Sequence, residues 1–452
     1  MLERIGDARY VLIGEASHGT SEYYRWRAEL TKRLLTEKDF SFVGVEGDWP
    51  DCYAVNCSVT RASDAPRDPA EALADFDRWP TWMWANDDVA RFTRWLRDFN
   101  AGRSNPVGFY GLDVYSLWDS LRETLDYLRR HRPDQMDAAM EAFRCFEPFA
   151  EDPQRYARAT QLVPTDCEAE VVDLLTGLLS NGHPPGCTDR DAHFNAEQNA
   201  LVTAGAEAYY RAMVSGGAES WNVRDQHMFD TLDRLMDHYG PGAKGIVWEH
   251  NTHIGDARYT SMADAGMFNI GQLVRQEHGD DGVVLVGFGG YRGSVTAGDY
   301  WGGPTTKMRL PEASKDSTEA AMHEALPDRD AALFVFDPDR GDGPAGLDRS
   351  DESAQQDGDY GEPGKRGPRK PPNRDHWWSR AADEHSWARR EQGHRAVGVV
   401  YSPDFEKRGN YVPTILDGRY DAFMWFNETT ALNPLPGRHG GEGEMEAWPE
   451  GL

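Results

Sequence analysis

No stretch of the chain holds eighteen consecutive apolar residues, so no membrane-spanning helix is expected. Met1-Leu-Glu-Arg4 lacks a signal-peptide pattern, which predicts a soluble cytoplasmic protein. The first apolar run begins within about ten residues of Met1, so the true start is expected upstream. Lysine is scarce, supplying only 8 of the 48 basic side chains, while Asp and Glu total 76 and net charge is −28. That excess of negative charge opposes nucleic acid and anionic membranes as partners. It suits a protein that stays hydrated at high salt, and a halophilic source is expected. The five cysteines (Cys52, Cys57, Cys145, Cys167, Cys187) are odd in number and show no Cys-x-x-Cys spacing. Neither a disulfide framework nor a zinc ribbon is indicated, and buried thiols are expected.

Several catalytic signatures are also missing. No Gly-x-Ser-x-Gly elbow occurs, which disfavours a serine-hydrolase triad, and there is no Walker loop. Gly287-Phe-Gly-Gly-Tyr-Arg-Gly293 follows an apolar run but lacks the helix start of a dinucleotide site. It reads as a tight turn on a ligand-facing rim, with Tyr291 and Arg292 as candidate substrate contacts.

What is present is organised around Tyr10-Val-Leu-Ile-Gly-Glu-Ala-Ser-His-Gly-Thr20. A short apolar run passes into a glycine-bounded polar loop, and a helical pattern starts at Ser21. This is a buried strand feeding a βα loop, the place where open α/β sheets bind ligands. Tyr23, Tyr24, Leu30, Leu34 and Leu35 mark the inward stripe of the helix, and Arg27 falls on it. An arginine there requires a carboxylate partner. Phe40–Val45, Val107–Leu112, Gly245–Glu249, Gly282–Gly287, Ala331–Phe336, Ala396–Tyr401 and Ala422–Phe426 read as further strands.

The expected fold is α/β: a mixed, largely parallel sheet flanked by helices, with an inserted all-helical domain. Residues 1–115 form the first part of the core, 116–240 the helical insertion and 241–436 the second part. Residues 337–375 are an acidic Gly/Pro-rich insertion with few aliphatics, expected to be loosely ordered.

Four expected strands end on ionisable groups: Glu15, Glu46, Asp113, and Glu249 with His250. His18 and His253 lie just beyond. Imidazoles, carboxylates and an inward arginine at one sheet edge suit acid–base chemistry. In that reading His18 takes a proton from water, Glu15 or Glu46 orients the ring, and Arg27 with His250 or His253 stabilises the oxyanion. Asp113 and Glu249 are candidates for substrate binding. A metal site built from Glu15, His18, Glu46, His250 and His253 is the sharp rival, although neither histidine pair has the helical i,i+4 spacing of a zincin. A non-catalytic small-molecule binder is the other. The preferred reading uses no metal and no cofactor, and leaves the oligomeric state open.

These motifs resemble the erythromycin esterase family. Gly14–Thr20 with Tyr24-Arg-Trp-Arg27 is similar to its first signature, Val45-Glu-Gly-Asp-Trp-Pro50 to its second and Phe109-Tyr-Gly-Leu-Asp113 to its third. Trp248-Glu-His-Asn-Thr-His-Ile-Gly-Asp256 is similar to its fourth, and Trp221–Asp225 and Val286–Arg292 also look like family text. The resemblance implies hydrolysis of a macrocyclic lactone or related ester by activated water, without a required metal or covalent intermediate, and a link to antibiotic resistance. It implies His18 as general base, Glu15 as its neighbouring carboxylate, and Arg27, Glu46, His250 and His253 as further cleft residues.

Overall fold

In the computed structural model, residues 1–149, 153–162, 166–180, 190–214, 217–336 and 387–436 are described. The 337–375 stretch and Cys187 lie outside them. The strands are β1 (Tyr10–Ile13), β2 (Phe42–Asp48), β3 (Gly108–Asp113), β4 (Gly245–Trp248), β5 (Val283–Ala297), β6 (Thr306–Leu310), β7 (Ala331–Val335), β8 (Glu391–Arg395), β9 (Tyr411–Ile415) and β10 (Ala422–Thr429). The main sheet runs β3-β2-β4-β1-β5-β10-β7, with β6 attached to β5. Every pairing from β3 across to β10 is parallel, whereas β7 and β6 pair antiparallel.

Full burial of β1 to β4 is what a parallel sheet covered on both faces demands. Alternation divides the strand residues between two cores. Val11, Ile13, Val43, Val45, Ile246 and Trp248 pack on one face with the Ser21–Glu37 helix, and Leu12, Phe42, Val247 and Leu285 pack on the other with the Glu219–Tyr239 helix. Helices between Leu117 and Met213 bury a core of their own, containing Leu121, Leu128, Tyr156 and Tyr209. The sheet is therefore mixed, mostly parallel and flanked by helices, with a helical insertion.

Three expectations change. Gly287–Gly293 is no tight turn: it lies in the middle of β5, where glycines let β10 and Tyr23 approach closely. Ala396–Tyr401 is not a regular strand; it touches the sheet through isolated bridges from Val397 to Ser17 and Val400 to Gly298, and the pairing strands are β8 and β9. Cys145 and Cys167 form a disulfide between the Met136–Phe146 helix and the start of the Glu168–Ser180 helix, while Cys52 and Cys57 are free. Spacing could not show that pairing, because helix packing brings the two cysteines together.

Candidate active site

Parallel register places the carboxyl ends of β1, β2, β3 and β4 along one edge of the sheet. The first group of side chains comes from the loop after β1. Glu15 Oε1 accepts a hydrogen bond from Nδ1–H of His18 at 2.8 Å, and Arg27 Nη2 donates to Glu15 Oε2 at 2.6 Å. All three are buried. Arg27 reaches Glu15 from the inward stripe of its helix, and its guanidinium lies 4.2 Å from the Tyr24 ring and 5.3 Å from Trp248. The carboxylate partner demanded by that buried arginine is thus Glu15. Gly19 fixes the loop: a Cβ there would stand 1.8 Å from the Thr296 carbonyl, whose residue donates its N–H to the Gly19 oxygen.

A β-bulge delivers the second group. Register between β2 and β3 shifts between Val45 and Asp48, and such a bulge re-aims a side chain at a strand end. Glu46 Oε2 accepts the His250 backbone N–H at 2.7 Å, and Oε1 accepts from Arg224 Nη2 at 2.8 Å. Arg224 also forks onto Asp113, with contacts of 2.9 and 2.7 Å. His253 Nε2 lies 3.4 Å from Glu46 Oε1, while Nδ1 is 3.0 Å from both oxygens of Asp225. The His253 ring stacks on Trp221 at 4.4 Å. The two groups meet where the His18 and His250 rings lie 4.9 Å apart.

Burial and charge set the protonation states. Burial pushes the His253 pKa down to about 3, with Glu46 opposing, and lowers that of His250 well below the usual value, helped by His18 and His253. Both are neutral imidazoles at neutral pH. Burial alone would raise Asp113, but Arg224 brings it to about 2. Asp225 is pushed up by burial, with Arg224 opposing. Glu249 is pushed up by burial and by Glu46, Asp225 and Asp113, and neither of its carboxyl oxygens has a hydrogen-bond partner among the described residues.

Glu15, His18, Arg27, Glu46, His250, His253 and Asp113 therefore converge, with Glu249 inside the same electrostatic field. Tyr291 and Arg292 do not join them. Tyr291 stacks on His323 at 3.7 Å, and Arg292 pairs with Glu312 and Glu428. Sequence reasoning assigned no role to Arg224, Asp225 or Trp221. The signal was there: Arg224 shares a helical stripe with Met228, Leu232 and Leu235, the same argument that singled out Arg27. A narrow cleft opens beside Glu46 and Asp113, walled by Phe76, Met83, Trp84, Asp48, Asp51 and Arg78. Among the described residues, no three His, Cys, Asp or Glu side chains are grouped so as to hold a metal ion. No described helix is long and apolar enough to cross a membrane.

Fold and site together define an α/β protein with a buried cluster of imidazoles, carboxylates and guanidinium groups at the carboxyl edge of its sheet. The chain belongs to the erythromycin esterase family, whose profile matches residues 35–429. Glu15, His18 and Arg27 lie ahead of the matched region. A Bacillus cereus protein of solved structure is 16% identical, with a TM-score of 0.71 over 96% of this chain and 91% of that one. A succinoglycan biosynthesis protein is 19% identical, with a TM-score of 0.68 over 95% and 90%. A mutant of the erythromycin esterase EreC in its open conformation is 14% identical, with a TM-score of 0.62 over 98% and 94%. These likenesses establish the fold. Family membership supports a hydrolase acting on a small-molecule ester.

Proposed function

We propose that this protein hydrolyses a carboxylic ester or macrolactone with water activated by His18, using no metal and no covalent intermediate. The observation that carries the reading is the Arg27–Glu15–His18 chain, which ties Nδ1–H of His18 to a carboxylate and leaves Nε2 as the basic nitrogen. Nε2 takes a proton from water as the oxygen attacks the carbonyl carbon. The resulting oxyanion is stabilised by Nε2–H of His250, whose Nδ1 accepts the Thr252 N–H, and by Arg224. Collapse breaks the bond to the alkoxy oxygen, which takes the proton back from the His18 imidazolium. Arg27 acts through Glu15: enclosed by Tyr24 and Trp248, it is a positioning residue rather than an oxyanion donor. Glu46 holds His250 and Arg224, and Asp113 fixes the other edge of the same guanidinium.

The test is a hydrolysis screen over lactones, macrolides and simple esters in high salt, with and without chelator. Turnover of at least one ester, unchanged by chelator, is expected. Loss of turnover with chelator, or saturable binding without product, would replace this reading.

A further inference from the structure

A second buried imidazole–carboxylate pair stands behind the site, in residues the acid–base reading does not use. The sequence gives His394 no distinction, since it stands in polar, charged text. Instead His394 is 1% exposed, Glu319 is 0% exposed, and Nδ1 of His394 donates to Glu319 Oε1 at 2.6 Å. The same oxygen accepts the Arg395 N–H at 3.1 Å. Burial lowers the His394 pKa. Burial alone would raise that of Glu319, but His394 and Arg395 bring it below its ordinary value. The pair is therefore a neutral ring on a carboxylate, with Nε2 left as an acceptor.

That acceptor faces Asn251, whose Nδ2 lies 3.1 Å away. Asn251 sits between His250 and His253 and touches each of the three central strands at the site. Its backbone N–H donates to the Glu15 carbonyl at 2.8 Å. Its side chain donates to the Phe288 carbonyl at 2.7 Å and accepts the Phe288 N–H at 3.2 Å. The amide is pressed against the β1 loop, for a Cβ on Gly14 would come within 2.1 Å of Asn251 Oδ1. The Asn251 amide is thus a clamp between the loop after β1, the segment after β4 and the middle of β5, and its second N–H is held by His394.

We propose that Glu319 and His394 are positioning residues for the reaction: by fixing the Asn251 amide they hold the His250–His253 segment against the Glu15–His18 loop. An outer partner of this kind orients groups without touching substrate itself, and around metal-ligating histidines, where the same arrangement recurs, losing one typically costs about 10–100-fold. The catalytic part of the proposal rests on the hydrolytic reading above. The clamp does not.

The experiment uses the full chain with His394→Phe, His394→Gln and Glu319→Gln. Phenylalanine preserves ring packing between Tyr420 and Phe423 but offers no acceptor. Glutamine can donate to Glu319 and accept from Asn251. On an ester accepted in the screen, His394→Phe is expected to lower kcat by about 10-fold or more with KM unchanged. His394→Gln should recover most of that loss, and Glu319→Gln should fall between them. Full kcat in His394→Phe, or a glutamine variant no better than the phenylalanine one, overturns the catalytic role. A second readout needs no substrate: with isotope-labelled asparagine, the side-chain amide protons of Asn251, identified by their absence in Asn251→Asp, are expected to exchange slowly in the wild type and much faster in His394→Phe. Equal exchange rates overturn the clamp. A wild type that hydrolyses nothing yet shows the exchange difference would reject the hydrolytic reading while keeping the clamp.

Discussion

At the scale of single residues, buried charge dictates most of the site. Arg27 and Glu15 are each fully enclosed, so each is tolerable only because of the other. Arg27→Met would remove the cation and leave the Glu15 carboxylate with only His18 and the Tyr24 hydroxyl as side-chain partners among the described residues. A loss of about 3–5 kcal/mol in unfolding free energy is expected by urea denaturation. A loss below about 1 kcal/mol would mean that the pair behaves like a surface ion pair. The Arg27 requirement was legible in the sequence because helical periodicity marks an inward position whatever residue occupies it. Arg224 was equally legible by that rule. The union of His253 with Asp225 was not, since the two are 28 residues apart and meet only when the Glu219–Tyr239 helix packs on the sheet.

At the scale of elements, the β2 bulge decides where Glu46 points. Gly111 on the neighbouring strand leaves room for it: a Cβ at that position would lie 2.2 Å from the Gly47 carbonyl oxygen and 2.4 Å from that of Asp48. Both are backbone atoms that no rotamer change can move. Gly111→Ala is therefore expected to destabilise by about 1–3 kcal/mol, as overpacking does. It should also reduce turnover by displacing Glu46 from Arg224 and the His250 N–H. An unchanged melting temperature together with full turnover would contradict the assigned role of the bulge. Apolar runs made the central parallel strands easy to read. The Glu391–Arg395 strand was missed because Glu-Gln-Gly-His-Arg carries no apolar signal, being held by pairing with Tyr411–Ile415 and by the buried Glu319. The adjoining Ala396–Tyr401 run has the composition of a strand but no continuous partner.

At the scale of the whole molecule, the balance of 76 acidic against 48 basic side chains opposes compaction at low ionic strength. Screening shortens from about 10 Å at 0.1 M salt to about 3 Å at 1 M, so the melting temperature should rise over that range. A flat or falling curve would argue against adaptation to high salt.

Acid acts through buried histidines. Burial lowers His227 to about 4 and His253 to about 3, from 6.5. A depressed histidine favours the folded state above 6.5, and that contribution is lost as pH falls towards the folded value. Asp51, raised by burial to about 8, titrates with the opposite sign, so a comparison of variants is needed to isolate the histidine effect. His227→Gln should lose less stability than the wild type between pH 6.5 and about 4. Parallel pH profiles would place the His227 titration elsewhere.

The central claim is that His18, oriented by Glu15, removes the proton from water. Its most direct test compares kcat of the wild type and His18→Asn on one accepted ester, with melting temperatures recorded alongside. A drop of roughly 10²–10⁴-fold in a folded variant is predicted, the usual worth of a positioned general base. A folded His18→Asn protein with wild-type turnover would contradict the account.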